Sequence, residues 1–130
     1  MSWRYVDIAE VYEIHKAVIK RARTKASVRD FSLLHSAVER SKATYGGQDL
    51  YPTVFAKGAA LLQSLCLNHA FSDGNKRTAW ISTKMFLKMN GYHLEADKMG
   101  AVNFMGWVDN EKLELPKISS WLKNHSKKIL

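Results

Sequence analysis

The chain has 130 residues, 46% of them hydrophobic, and a formal net charge of +8 from 20 lysines and arginines against 12 acids. This length fits a single domain over residues 1–130 that buries a core without staples, and the apolar content excludes disorder as the default. One cysteine excludes an internal disulfide, no charged-then-apolar leader opens the chain and the apolar runs are too short for a membrane span, so a soluble cytoplasmic protein is expected.

A pI near 9.7 attracts polyanions: nucleic acid, nucleotide phosphates or an acidic partner. Charge alone does not choose among them. The cations are spread along the chain, with local excesses at Lys16–Lys25 and Lys123–Lys128. They are not gathered with the aromatic or helix-in-groove machinery of a nucleic-acid binder.

The apolar spacing is helical almost throughout. Asp7 caps a first helix, whose apolar face carries Ile8, Val11, Tyr12, Ile14, Val18 and Ile19 and which ends in the basic stretch Lys20–Lys25. A second helix starts near Ser27 or Asp30, with Phe31, Leu34, Ala37 and Val38 on one face. Thr44-Tyr45-Gly46-Gly47-Gln48-Asp49 reads as a loop leading to Pro52, a residue suited to the first turn of a helix. The third helix spans about Thr53–Asn68 and the fourth about Gly74–Asn90, both apolar nearly all round and therefore buried. Tyr92-His93-Leu94 is a short extended piece. A fifth helix, weakened by Gly100 and Gly106, covers about Asp97–Val108. Pro116 opens a sixth, and the tail at Lys127-Lys128 is expected to fray.

Between the third and fourth helices lies His69-Ala70-Phe71-Ser72-Asp73-Gly74-Asn75-Lys76-Arg77. Asp73 stands where an N-cap belongs, which leaves Gly74, Asn75 and Lys76 as first helical positions with unpaired N–H groups. Lys76 and Arg77 then sit in a first turn, where the helix dipole disfavours cations. A bound polyphosphate reverses that penalty. Asp73 can serve a magnesium ion beside phosphates, and His69, four residues earlier, can take a proton from an attacking hydroxyl. Singly, each residue has an ordinary reading: a satisfied histidine, a turn, a solvated basic face. Together, at a junction of two buried helices, they read as a phosphate-handling site.

These nine residues resemble the signature of the Fic/Doc superfamily, in particular its Doc (death-on-curing) branch. The likeness extends upstream through Arg29–Arg40 and downstream to Asn90-Gly91. It implies a compact all-α fold of about six helices. By that resemblance His69, Asp73 and Lys76 are catalytic, with His69 the base. Asp73 holds Mg2+ or orients the substrate, and Gly74, Asn75, Lys76 and Arg77 bind the nucleotide. Phe71 anchors the loop in the core, and the stretch Tyr45–Tyr51, with Tyr45, Gly46 and Gly47 as candidate docking residues, is a flap that docks the target. Lys76 decides the reaction. Adenylylating Fic proteins typically have glycine there, whereas Doc proteins have lysine and a reversed nucleotide. The resemblance thus implies ATP as substrate and phosphorylation of a hydroxyl on an elongation factor Tu-like protein, which stops translation. It implies a type II toxin restrained by a Phd-like antitoxin.

Two features qualify the match. Ala70 stands where many relatives have proline, which leaves φ free and costs the loop preorganisation. No Ser/Thr-x-x-x-Glu-Gly/Asn inhibitory helix occurs in the chain, so restraint is expected from a second chain. The rival readings are an adenylylating Fic-type enzyme and a non-catalytic basic module that binds nucleic acid or an acidic partner; direct nucleic-acid binding is not expected. Cys66 reads as a core thiol, the Trp and Met residues as core, and His15, His35, His93 and His125 show no metal spacing.

Overall fold

The computed structural model describes residues 3–24 and 27–129. Lys25, the end of the basic stretch read above, lies outside the described residues. The described residues form six α-helices: α1 (Ile8–Ala22), α2 (Phe31–Glu39), α3 (Val54–Leu67), α4 (Asn75–Met89), α5 (Lys98–Asn110) and α6 (Leu115–Asn124). Four short strands, β1 (Thr44–Tyr45), β2 (Gln48–Asp49), β3 (Tyr92–Leu94) and β4 (Ser126–Lys128), make two antiparallel pairs. The fold is all-α, as expected.

Capping chemistry sets most helix starts. Asp7 and Glu10 form a reciprocal capping box on α1, each side chain bonded to the other's backbone N–H. Asp30, Thr53 and Asp97 accept from the third backbone N–H of α2, α3 and α5. The Asp97 contact needs Gly100, because a Cβ there would lie 2.9 Å from the Asp97 carboxylate oxygen. That glycine, read as a weakness in the helix, admits its cap. Because Thr53 is the N-cap, Pro52 falls just outside α3 and not in its first turn.

Helix α3 is the central element. It packs along α4 and α6 and also meets α2 and α5. Ten of its residues are buried. Where it meets both long neighbours it carries Gly58, whose missing Cβ would stand 3.4 Å from Leu87 and 3.5 Å from Leu122. The core continues through Leu34, Phe86, Phe104 and Ile118. Trp121 joins α6 to α5, stacked on Phe104 at 3.8 Å between ring centroids.

Four expectations need correction. Phe31 is 64% exposed and leaves the core face to Leu34, Ala37 and Val38; it stands in the first turn of α2 and lies over His35, one turn on. Trp107 and Met99 are exposed on α5 and are not core. The Thr44–Asp49 stretch is a two-stranded hairpin and not an irregular loop, because Gly46 and Gly47 both take positive φ at its tip. The tail does not fray: Lys127 and Lys128 pair with His93 and Tyr92, since backbone pairing is indifferent to the exposed lysine side chains.

Cys66 is fully buried on α3, and burial pushes its thiol up to about 11. We therefore expect a thiol reagent at about pH 8 to find no reactive group in the native protein and one after unfolding. Rapid labelling of the native chain would contradict this packing.

Candidate active site

The loop from Asn68 to Gly74 joins the two most extensively packed helices. Its start is strained: His69, which is exposed, adopts φ 51°, a left-handed conformation that a non-glycine residue holds only when its surroundings impose it. Those surroundings come from the segment preceding α2. The Ala70 carbonyl accepts hydrogen bonds from the N–H groups of Arg29 (2.7 Å) and Asp30 (3.1 Å), Val28 and Phe71 form an antiparallel bridge, and the Ser72 N–H donates to the Ser27 carbonyl at 3.1 Å. The loop is therefore held without a proline at position 70, and the loss of preorganisation expected from Ala70 is offset by these bonds.

Phe71 is 2% exposed and points into the core. Its ring stacks on His15 of α1, 3.6 Å between centroids and 9° from parallel. His15 is itself inaccessible to solvent. Its Nδ1 shares a hydrogen bond with the Thr78 hydroxyl of α4 at 3.2 Å, and its Nε2 has no partner among the described residues. Burial lowers its pKa below the ordinary histidine value, with the nearby Asp73 charge opposing, which favours the neutral ring under Phe71. Sequence reasoning missed His15. Its spacing, four residues after Val11 and three before Val18 on the apolar face of α1, was the available signal.

The N-cap of α4 is Gly74, not Asp73. Gly74 takes φ 77°, and a Cβ there would come within 3.0 Å of Ile19 and 3.2 Å of Val18 on α1. Only glycine satisfies both the backbone and the space. Asp73 turns its carboxylate onto the Gly74 N–H at 2.8 Å instead of capping the helix. The first helical hydrogen bond runs from the Thr78 N–H to the Gly74 carbonyl, so Asn75, Lys76 and Arg77 present their N–H groups at the helix end.

Asn75 is the brace of the loop. Its amide oxygen accepts from the Phe71 N–H (3.1 Å) and its amide nitrogen donates to the Phe71 carbonyl (2.9 Å). The side chain is committed to protein, which leaves the backbone N–H as its means of meeting a ligand. Lys76 is exposed and leans towards α5, its Nζ 3.7 Å from the Asp109 carboxylate. Arg77 is exposed.

Asp73, Gly74, Lys76 and Arg77 all line one open groove of about 820 Å³ between α1, α4 and α5, together with apolar side chains such as Val18 and Met105. His69 is not among the residues lining it. The structure thus gathers the acid, the glycine and both cations, and it places the histidine on the strained shoulder of the same loop. No group of three or more His, Cys, Asp or Glu side chains among the described residues could hold a metal by itself. The single free oxygen of Asp73 fits magnesium that arrives with phosphates, since that ion takes one or two carboxylates and completes its shell with substrate and water. The hairpin tip, Tyr45-Gly46-Gly47, is fully accessible, with Tyr45 83% exposed.

A family model described as the Fic/DOC family matches residues 5–87. The chain is also similar to a protein named Toxin Doc from Mycolicibacterium smegmatis (strain ATCC 700084 / mc(2)155), 57% identical over 70 residues. That match covers 54% of each chain, so it spans about half the length of the curated relative. No helix among the described residues is long and apolar enough to cross a membrane.

Proposed function

This chain belongs to the Fic/DOC family, and we propose that it transfers the γ-phosphoryl group of ATP to a hydroxyl of an elongation factor Tu-like protein, as the toxin of a pair restrained by a Phd-like antitoxin. The observation that carries the phosphoryl reading is Lys76. It occupies the first turn of α4 beside the free N–H groups, on the groove shared with Asp73 and Arg77. A cation at that end of a helix is unfavourable until an anion arrives. By the family resemblance, a lysine at this position goes with phosphoryl rather than AMP transfer.

In this reading the backbone N–H groups of Asn75, Lys76 and Arg77 and the two cations hold the phosphates. Asp73 would hold magnesium entering with ATP, which would supply neutralisation of charge on the phosphate oxygens. The His69 ring takes the proton of the acceptor hydroxyl as its oxygen bonds to the γ-phosphorus. The bond from that phosphorus to the β–γ bridging oxygen breaks, and ADP leaves with the electron pair. The name of the M. smegmatis relative supports the assignment as a toxin. The same reading makes the exposed hairpin the part that aligns the acceptor.

The test uses purified protein, magnesium, elongation factor Tu and ATP labelled at either the γ- or the α-phosphate. Label from the γ position on the acceptor is expected. Label from the α position would overturn the reading in favour of AMP transfer. Absence of either, with salt-sensitive RNA or DNA binding indifferent to His69 and Asp73, would favour a non-catalytic module. Lys76→Gly is expected to lose γ-transfer.

A further inference from the structure

The neck of the hairpin is gripped by two cations that neither the site nor the family signature uses. Lys57 lies on α3, and its side chain is 0% exposed. Its Nζ stands 3.0 Å from the Asp49 carboxylate on β2 and 3.4 Å from the Ser41 carbonyl just before β1. The rings of Trp3 and Tyr5 enclose it, each centroid 5.8 Å away. Arg40, in the 3₁₀ turn that precedes the hairpin, donates to the Tyr51 hydroxyl that follows it at 3.0 Å. It also donates to Gln63 and Ser64 of α3, both at 2.8 Å. Between these grips the Leu50 N–H closes the neck onto the Ala43 carbonyl at 2.9 Å.

An ammonium removed entirely from water is costly, and at this position on α3 an apolar side chain would fill the same space without that cost. The charge is directed at one carboxylate on the hairpin's second strand and one carbonyl in the 3₁₀ turn that leads into its first. A two-residue ribbon cannot hold itself in place: isolated hairpins are marginal, and a Cβ added at either tip glycine, Gly46 or Gly47, would meet nothing within 4 Å. Its orientation must therefore come from its base.

We propose that Lys57 is a positioning residue that locks the hairpin to α3 through Asp49 and through Ser41 in the turn before it, with Arg40 securing Tyr51 just beyond it, so that the hairpin meets an acceptor protein already in its working pose. The part of this concerning the acceptor rests on the functional reading above; the lock itself does not.

The test variant is Lys57→Met, which fills the space without charge and leaves Asp49, with 41% of its side chain exposed, to water. Asp49→Asn, at the half-exposed partner, is the second variant should the first not fold. Two measurements separate the claims. Amide hydrogen exchange should rise about tenfold across the hairpin and at Leu50 while α3 and α4 stay protected. With elongation factor Tu as acceptor, KM for the acceptor should rise about fivefold or more, with KM for ATP and kcat within about twofold of the parent. Unchanged hairpin exchange in both variants overturns the lock. Faster exchange with an unchanged acceptor KM overturns the positioning role. Faster exchange in a protein whose parent form labels no acceptor supports the lock and overturns the functional reading.

Discussion

Replacement of His69 by alanine is expected to lower the rate of phosphoryl transfer about 10²–10⁴-fold, the usual worth of a positioned general base. Stability should hardly move. The His69 side chain is exposed, and surface substitutions of this kind change stability within about 0.5 kcal/mol. ATP affinity should also persist, because the phosphate-holding groups lie beyond Phe71 on α4. The measurement is single-turnover transfer at saturating ATP, with a melting curve and a nucleotide titration on the same preparations. A variant that transfers phosphate at the parental rate would remove His69 from the chemistry.

Asn75→Ala is expected to lose both activity and stability, for a different reason. The amide side chain satisfies the N–H and the carbonyl of Phe71 at once, and Phe71 is almost entirely buried. Truncation strands two polar backbone groups where water has little access, at a cost of about 1–3 kcal/mol. Alanine is otherwise a good helix former at this first position of α4, so backbone propensity adds nothing to the loss. The released loop no longer fixes His69, and a displacement of about 1 Å is enough to cost about 10²-fold in rate. A melting temperature lowered by several degrees together with slower turnover is the expected pair of results. Slower turnover with an unchanged melting temperature would mean that the Asn75 side chain acts on the nucleotide and not on the loop.

What could be read before the structure was local. Helix starts at Asp7, Asp30, Thr53 and Asp97 follow from single side chains bonded three residues ahead, and Asn90 does close α4 before Gly91. The same local logic failed at Asp73. An aspartate before a glycine looks like a cap, but a glycine in the left-handed region starts the helix itself and draws the carboxylate to its own N–H. The rest depends on distant pairs. Nothing in its immediate sequence marks Lys57 as buried, because what buries it is Trp3, Tyr5 and the leg of a hairpin. His15 looked like one histidine among five until α1 was laid against Phe71. The pairing of the C-terminal lysines with β3 was hidden for the same reason, since their neighbours in sequence argue only for solvent.

The signature loop is bonded chiefly to parts of the chain that precede it: Ser27–Asp30 through the backbone, and α1 through the His15 ring, whose partner Thr78 lies 63 residues away. Contacts of such separation must overcome loop-closure entropy before they return any energy, and so they are expected to form after the local α3–α4 pair. The nine signature residues therefore exist as sequence well before they exist as a site. A chain that has made α3 and α4 but has not yet docked α1 has the histidine, the acid and the cations but no fixed relation among them. The fixed arrangement of these residues is therefore expected to arrive with the long-range contacts and to be lost with them.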